Sequence, residues 1–317
     1  MVGTRGMQLF FVIRACVFLS IPGYSSSYFT PPAAAAPRAS GPRAGPPTGL
    51  PQASTAAAAA AVAPLAAADS DAEAFERVTL ARRSTKHFDR RRPVPDDVLK
   101  KVLALVLRAP SGFNIQPYEC IVVTSDEAKQ KLSRAMLGQN RERVLAAGAT
   151  VVFASDLNSM KNVGKLTTML AEEGWPKGFI KKVPLYLSVF STGHNRLLRL
   201  PLVAAKKLSF AVVRRLGKGM PTVSGAETWA FKNTMLAVQE LLLAATSHGL
   251  ATCPMEGFDM RRLRKALRIP LRYSVPIVVS IGYPSDDRRE IKTLRFPPEE
   301  VLHREEFGTP LEGVPSL

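Results

Sequence analysis

The chain of 317 residues carries 43 Lys and Arg against 26 Asp and Glu, for a formal net charge of +17 and an isoelectric point near 10.1. That length permits one or two domains, and the scatter of the basic residues, with no stripe of interleaved aromatics and no zinc-finger or RNA-recognition signature, argues against a nucleic-acid partner. Cys16, Cys120 and Cys253 lack paired spacing, and His87, His194, His248 and His303 are scattered; neither set suggests a disulfide framework or a metal site.

No Asp or Glu precedes Asp69, so the first stretch is expected to stand outside any core, leaving roughly 240 residues to fold as one sizeable domain. Residues 1–27 read as signal-like: 9–21 are apolar, interrupted by Arg14, and too short for a membrane span. Residues 28–68 are Ala/Pro-rich, basic and acid-free, as in organelle transit peptides. The two together resemble the leaders that address proteins to plastids enclosed by extra membranes. We expect a disordered targeting leader over 1–68 and a plastid location, with a mitochondrion as the alternative.

After Asp69 the composition becomes ordinary. Residues 72–80 read as a short helix, followed by Arg82-Arg83-Ser84-Thr85-Lys86; if that stretch is extended, Arg82, Ser84 and Lys86 share a face and make a candidate anion site. Pro95, Asp96 and Asp97 open a helix whose apolar stripe is Val98, Val102, Leu105 and Val106. It ends at the loop Pro110-Ser111-Gly112-Phe113-Asn114-Ile115-Gln116-Pro117, which crowds small polar groups and amides between two prolines. A strand is expected over 119–124, then a helix capped by Ser125 and running to about Leu137, then a buried strand over 150–154. Residues 157–225 look least regular, and their Pro, Gly and scarcity of acids read as an excursion. The favoured reading is an elaborated helical excursion packed on the domain and acting as a substrate lid; the alternative is a membrane-surface patch through the apolar, basic 197–216. A helix over 227–248, apolar nearly all round and hence central, ends at Gly249. An extended segment over 250–255, a helix over 260–268 capped by Asp259 and a buried strand over 275–281 complete a domain over 72–305, followed by a tail over 306–317. This order argues an α+β or α/β arrangement with helices on both faces of a sheet.

Four stretches now stand together: Arg82 to Lys86, Pro110 to Pro117, Asn140-Arg141-Glu142-Arg143, and Gly249-Leu250-Ala251-Thr252-Cys253-Pro254-Met255-Glu256-Gly257-Phe258, with Ile281-Gly282-Tyr283-Pro284 behind them. In this order they resemble the FMN-dependent nitroreductase family, over nearly all of the chain after the leader except the excursion. The resemblance implies an α+β homodimer with a mixed sheet flanked by helices and two FMN sites at the subunit interface. It implies that Arg82, Arg83 and Ser84 bind the ribityl-phosphate end, that Lys86 and Arg143 stand near the pyrimidine edge, and that Asn140 hydrogen-bonds to the ring. Pro110, Ser111, Gly112 and Asn114 would come from the other subunit, with Gln116 supporting them. Pro254, Met255, Glu256 and Gly257 would line the flavin face, with a backbone N–H at Glu256 or Gly257 aimed at N5. Arg295 matches a phosphate-binding position; the family's second basic position falls on Thr293, with Lys292 beside it.

The residue types suit that chemistry. Reduction places negative charge near N1 and O2 of a flavin, which cations oppose electrostatically. No protein nucleophile, triad or metal is required. The expected activity is NAD(P)H oxidation with transfer to a nitroaromatic or quinone-type small molecule in a ping-pong cycle, with Phe113 or the excursion as a wall for the acceptor. The alternatives are a reductive dehalogenase or flavin-fragmenting enzyme of the same fold, or a non-catalytic, membrane-associated flavin-binding protein.

Overall fold

The computed structural model describes residues 69–190, 196–217, 219, 224–286 and 293–315. The signal-like and transit-like segments expected over 1–68, and Lys292, lie outside the described residues. The chain runs α1 (Asp69–Ala81), α2 (Asp96–Val106), β1 (Tyr118–Val123), α3 (Asp126–Ser133), α4 (Asn140–Ala146), β2 (Ala149–Asp156) and α5 (Val163–Glu172). It continues through α6 (Lys177–Phe190), α7 (Arg196–Arg215), α8 (Ala226–Ser247), β3 (Ala251–Met255), α9 (Met260–Leu267), β4 (Tyr273–Gly282) and α10 (Pro298–Val301).

Every residue of β2 is buried, because the strand lies inside the sheet order β1-β2-β4-β3 and both its faces are covered. All three pairings are antiparallel. The mixed sheet expected from the resemblance is reduced to one parallel bridge between Ser84 and Thr252, because the segment after α1 runs beside β3 only there. Alternation along the strands divides the core in two. Val151, Phe153, Val279 and Ile281 face Leu99, Val102 and Val106 of α2 and Ala237, Val238 and Leu241 of α8. Val152, Ala154 and Val278 face Leu132 of α3, Val144 of α4 and Leu263 of α9. Helices therefore cover both faces.

Local chemistry sets the helix ends. Ser125 Oγ accepts from Ala128 N at 3.3 Å, and an Asp259 carboxylate oxygen accepts from Arg262 N at 3.0 Å, each satisfying a donor that the helix start leaves unpaired. Gly249, at φ 70°, turns the chain out of α8 while Leu250 N donates to Ala245 O at 2.9 Å, a left-handed stop that glycine adopts at little cost.

Over 157–225 the described residues carry α5, α6 and α7, with Pro184 inside α6. Two expectations change. The helix after Ser125 stops at Ser133, and the stretch from Asn140 forms the two-turn helix α4. The helix α8 buries one side rather than all of its circumference: Met235 and Leu236 are exposed while Ala237, Val238 and Leu241 are enclosed.

Phe153 is fully buried between β2 and the α2/α8 layer. Phe153→Ala is expected to cost about 3–5 kcal/mol through lost burial and the cavity left behind, read as a lower midpoint in urea denaturation; a midpoint equal to the parent's would contradict this packing.

Candidate functional site

Leaving α1, the chain runs out along the sheet. Thr85 N donates to Thr252 O at 2.9 Å, and Ser285 N donates to His87 O at 3.0 Å, so backbone bonds fix the segment from Arg82 to Phe88 against β3 and the end of β4. Phe88 is buried in the second core cluster, while Ser84 and Lys86 are exposed. Burial first, and then the charge of Arg295, hold the Arg82 guanidinium below its ordinary value. Arg295, from the far end of the domain, is thus near enough for its charge to act on Arg82, while its Nη1 donates to Leu294 O at 2.8 Å.

A second group forms where α4 meets the segment after β3. Asn140 Nδ2 donates to Gly257 O at 3.0 Å, and Arg143 Nη1 donates to Asn140 Oδ1 at 2.5 Å. Gly257 O also accepts from Leu137 N at 3.0 Å. A Cβ at Gly257 would lie 2.7 Å from Asn140 Nδ2, so a side chain there would push the amide out of place. Lys86 and Arg143 line one cavity of about 560 Å³ with His87, Gln139, Glu142 and Ser285. In that cavity Glu142 is bonded to Arg90 at 2.9 Å. Burial raises the Cys253 thiol above its ordinary value, and the nearby charges of Arg143 and Lys86 pull it back down.

The loop from Pro110 to Pro117 makes its bonds elsewhere. Gly112 N donates to Asn233 Oδ1 of α8 at 2.6 Å, and a Cβ at Gly112 would lie 3.2 Å from the Trp229 ring. Gln116 N donates to Ser111 Oγ at 3.0 Å, and Gln116 Nε2 donates to Asn114 O at 3.3 Å. Phe113, Asn114 and Gln116 have φ of 56°, 54° and 47°, a left-handed conformation costing roughly 1–2 kcal/mol for each such residue. The excursion holds the loop in that state: Ile115 packs with Val163, Leu166, Val183 and Leu187, Asn162 Nδ2 donates to Ile115 O at 3.2 Å, and Phe113 stacks on Tyr186 with ring centroids 6.3 Å apart.

The structure therefore gathers the expected residues into two groups. Arg82 and Arg295 form one neighbourhood, and Lys86, Asn140, Arg143 and Gly257 form another beside Cys253. Arg83 Nε turns back to Ala81 O at 3.3 Å. Pro254 and exposed Glu256 flank Met255, whose side chain is packed in the core; alternation along β3 sends it inward, so only its backbone remains for a ligand. The loop bonds near the start of α8, whereas Ser84 bridges Thr252 beyond its end, and the helix rises roughly 20 Å between Asn233 and Ser247. Asn233, the loop's anchor, escaped the sequence reading; its only signal is an amide within an Ala- and Leu-rich helix. Thr252 Oγ1, buried with no hydrogen-bond partner among the described residues, escaped it too.

The family model described as "Nitroreductase family" matches residues 79–283. The chain belongs to the nitroreductase family. A Thermus thermophilus protein named NADH dehydrogenase is 28% identical over 223 residues, spanning 70% of this chain and 92% of that relative. The iodotyrosine deiodinase of Thermotoga neapolitana is 25% identical over 226 residues, again 70% of this chain and 92% of the relative. A protein of Exiguobacterium sibiricum described as a nitroreductase, solved in complex with FMN, superposes with a TM-score of 0.55 at 18% identity, covering 73% of this chain and 97% of that one. That likeness shows the nitroreductase α+β fold.

Burial pushes the Cys120 thiol up to about 12 and raises Cys253 as well. Both thiols are expected to stay protonated at pH 8 and to resist iodoacetamide until the protein is unfolded, because the thiolate is the nucleophile. The stability that Cys120 gains from its neutral form is complete below the ordinary thiol value and is lost as the pH climbs from about 9 towards 12. Mass-spectrometric labelling against pH checks this, and rapid alkylation of the native protein at pH 8 would contradict it.

Proposed function

We propose that this nitroreductase-family chain is an FMN-dependent NAD(P)H oxidoreductase that passes a hydride from the nicotinamide to the flavin and on to an electron-poor nitroaromatic or quinone. The observation that carries the reading is the gathering of like charges, Lys86 with Arg143 in one cavity, together with an Arg295 whose charge reaches Arg82. Such sets of cations favour an anionic ligand strongly where they are fixed in advance.

The residues present fit FMN. Arg82, Ser84 and Arg295 would supply donors for a phosphate, Arg83 joining them on turning away from Ala81 O, and the missing Cβ of Gly257 leaves the Asn140 amide where it can orient a flat heterocycle. Bound FMN supplies hydride acceptance and return, chemistry that no side chain here offers. Lys86 and Arg143 oppose the negative charge that reduction creates, and Arg143 locks Asn140 through their 2.5 Å bond. The segment from Pro254 to Gly257 would offer its backbone to the flavin, with Met255 as its anchor in the core.

The reading includes a second copy of the chain. The loop carrying Pro110, Ser111, Gly112 and Asn114 is bonded to α8 far from the Ser84–Thr252 bridge, so a loop from a partner would complete the site. Exposed Leu105, Leu107, Met235, Leu236, Phe296 and Phe307 supply the apolar surface for such a dimer. The names of the relatives support the donor and the cofactor, and the acid-free leader supports a plastid address.

The purified protein is expected to show flavin absorbance bands that bleach on anaerobic addition of NADH or NADPH. A colourless protein that takes up no added FMN would overturn the proposal. Arg82→Ala and Arg295→Ala should each weaken FMN retention by roughly tenfold or more, the loss expected for one charge-assisted bond; unchanged flavin content after gel filtration would remove them from the phosphate site.

A further inference from the structure

The helix α7 has no place in the reading above. Between Glu173 and Glu227 the chain has ten Lys or Arg and no Asp or Glu, so every charged side chain in that stretch of sequence is basic. Within it α7 spans Arg196–Arg215, about 30 Å of helix. It is fastened from one side: Phe210 is buried, and Lys206, also buried, donates from Nζ to Ser188 O of α6 at 2.5 Å. On the opposite side Leu208, Val212 and, just past the helix end, Leu216 stand exposed at 69%, 55% and 71%. Their spacing of four residues makes them a stripe along one face. Exposed Arg215 lies at the edge of that stripe, and exposed Lys207 and Arg214 stand about a third of a turn round from Leu208 on the same flank.

An apolar stripe edged by cations on a helix with an opposed buried anchor fits one kind of surface. Leucine and valine need a medium they can enter, and the cations need an anionic partner in the same plane. Nucleic acid satisfies the cations but leaves the aliphatic stripe in water. The headgroup boundary of an anionic bilayer satisfies both. Among the described residues no helix is long and apolar enough to cross a membrane, so the fit is to lying on the bilayer. We infer that the outer face of α7 docks this protein on an anionic lipid surface, with Leu208, Val212 and Leu216 entering the headgroup boundary and Lys207, Arg214 and Arg215 meeting lipid phosphates.

The test is co-sedimentation of the full chain with vesicles of phosphatidylcholine alone and with about one third phosphatidylglycerol. Each variant carries the same residues 1–68 as the parent, so a difference between them belongs to α7. The parent should bind the anionic vesicles far more than the neutral ones, and raised salt should weaken that binding. The Leu208→Ser/Val212→Ser and Lys207→Glu/Arg215→Glu variants should each lose about tenfold or more of that binding. Both pairs are exposed, and an unchanged circular dichroism spectrum would show that folding survives. Equal binding by parent and variants would overturn the inference, as would absence of binding to anionic vesicles. A shift of the Leu208→Ser/Val212→Ser variant from dimer to monomer in sedimentation velocity, with vesicle binding intact, would assign the stripe to a second copy and overturn it too. None of these readouts depends on flavin content.

Discussion

Cations gathered by a fold repel one another, and a fold that keeps them together is less stable than it would be without them unless an anion lies between. Arg82 follows directly on α1 and is fixed by the backbone bonds of the next residues to β3; Arg295 arrives from beyond β4. Their mutual repulsion is felt at Arg82. Lys86 and Arg143 repeat the arrangement in the neighbouring cavity, where the one carboxylate, Glu142, is bonded to Arg90. The antiparallel sheet and its helix layers serve as the frame for Arg82, Lys86 and Arg143. Such preorganisation is what makes a cationic site favour a bound anion over water, since little reorganisation remains to be done on binding.

Strain is stored at the other end of α8. Phe113, Asn114 and Gln116 hold left-handed backbone angles, and the compensation is visible in the Asn233 bond to Gly112, the Asn162 bond to Ile115 and the apolar cluster around Ile115. The excursion is therefore part of the loop's support: its helices α5 and α6 pack against the loop, and α7 is fastened to α6 through Lys206. A strained loop anchored on α8 at one place, and a group of cations at another, are two halves that one chain keeps apart.

Much of this was legible in the sequence where the signal is local. The β-branched runs gave β1, β2 and β4 to within a few residues, and Ser125, Asp259 and Gly249 act at the helix ends as their side-chain chemistry predicts. The prolines and glycines of the excursion read as breakers. Yet Pro176 precedes α6, where a missing N–H costs nothing, and Pro184 is accommodated within it. The helix α4 is only two turns long, below the length at which periodicity speaks. Asn233 and Gly112 are 121 residues apart, and the meeting of Arg82 with Arg295 is more distant still; such pairings are tertiary, and only the resemblance of ordered motifs anticipated any of them. The inward turn of Met255 was readable from strand alternation with Cys253, but motif matching treats neighbouring residues alike.

The central claim is that cations from one chain and the loop from another make one site. The direct measurement is complementation between two defective variants, Arg143→Ala and a loop variant such as Gly112→Leu, whose added side chain would meet the Trp229 ring. Each alone should bind FMN poorly; after mixing and subunit exchange, each hybrid would hold one intact site and flavin binding should return in part. Failure to recover binding in a mixture shown to contain hybrids would mean that the two halves never meet.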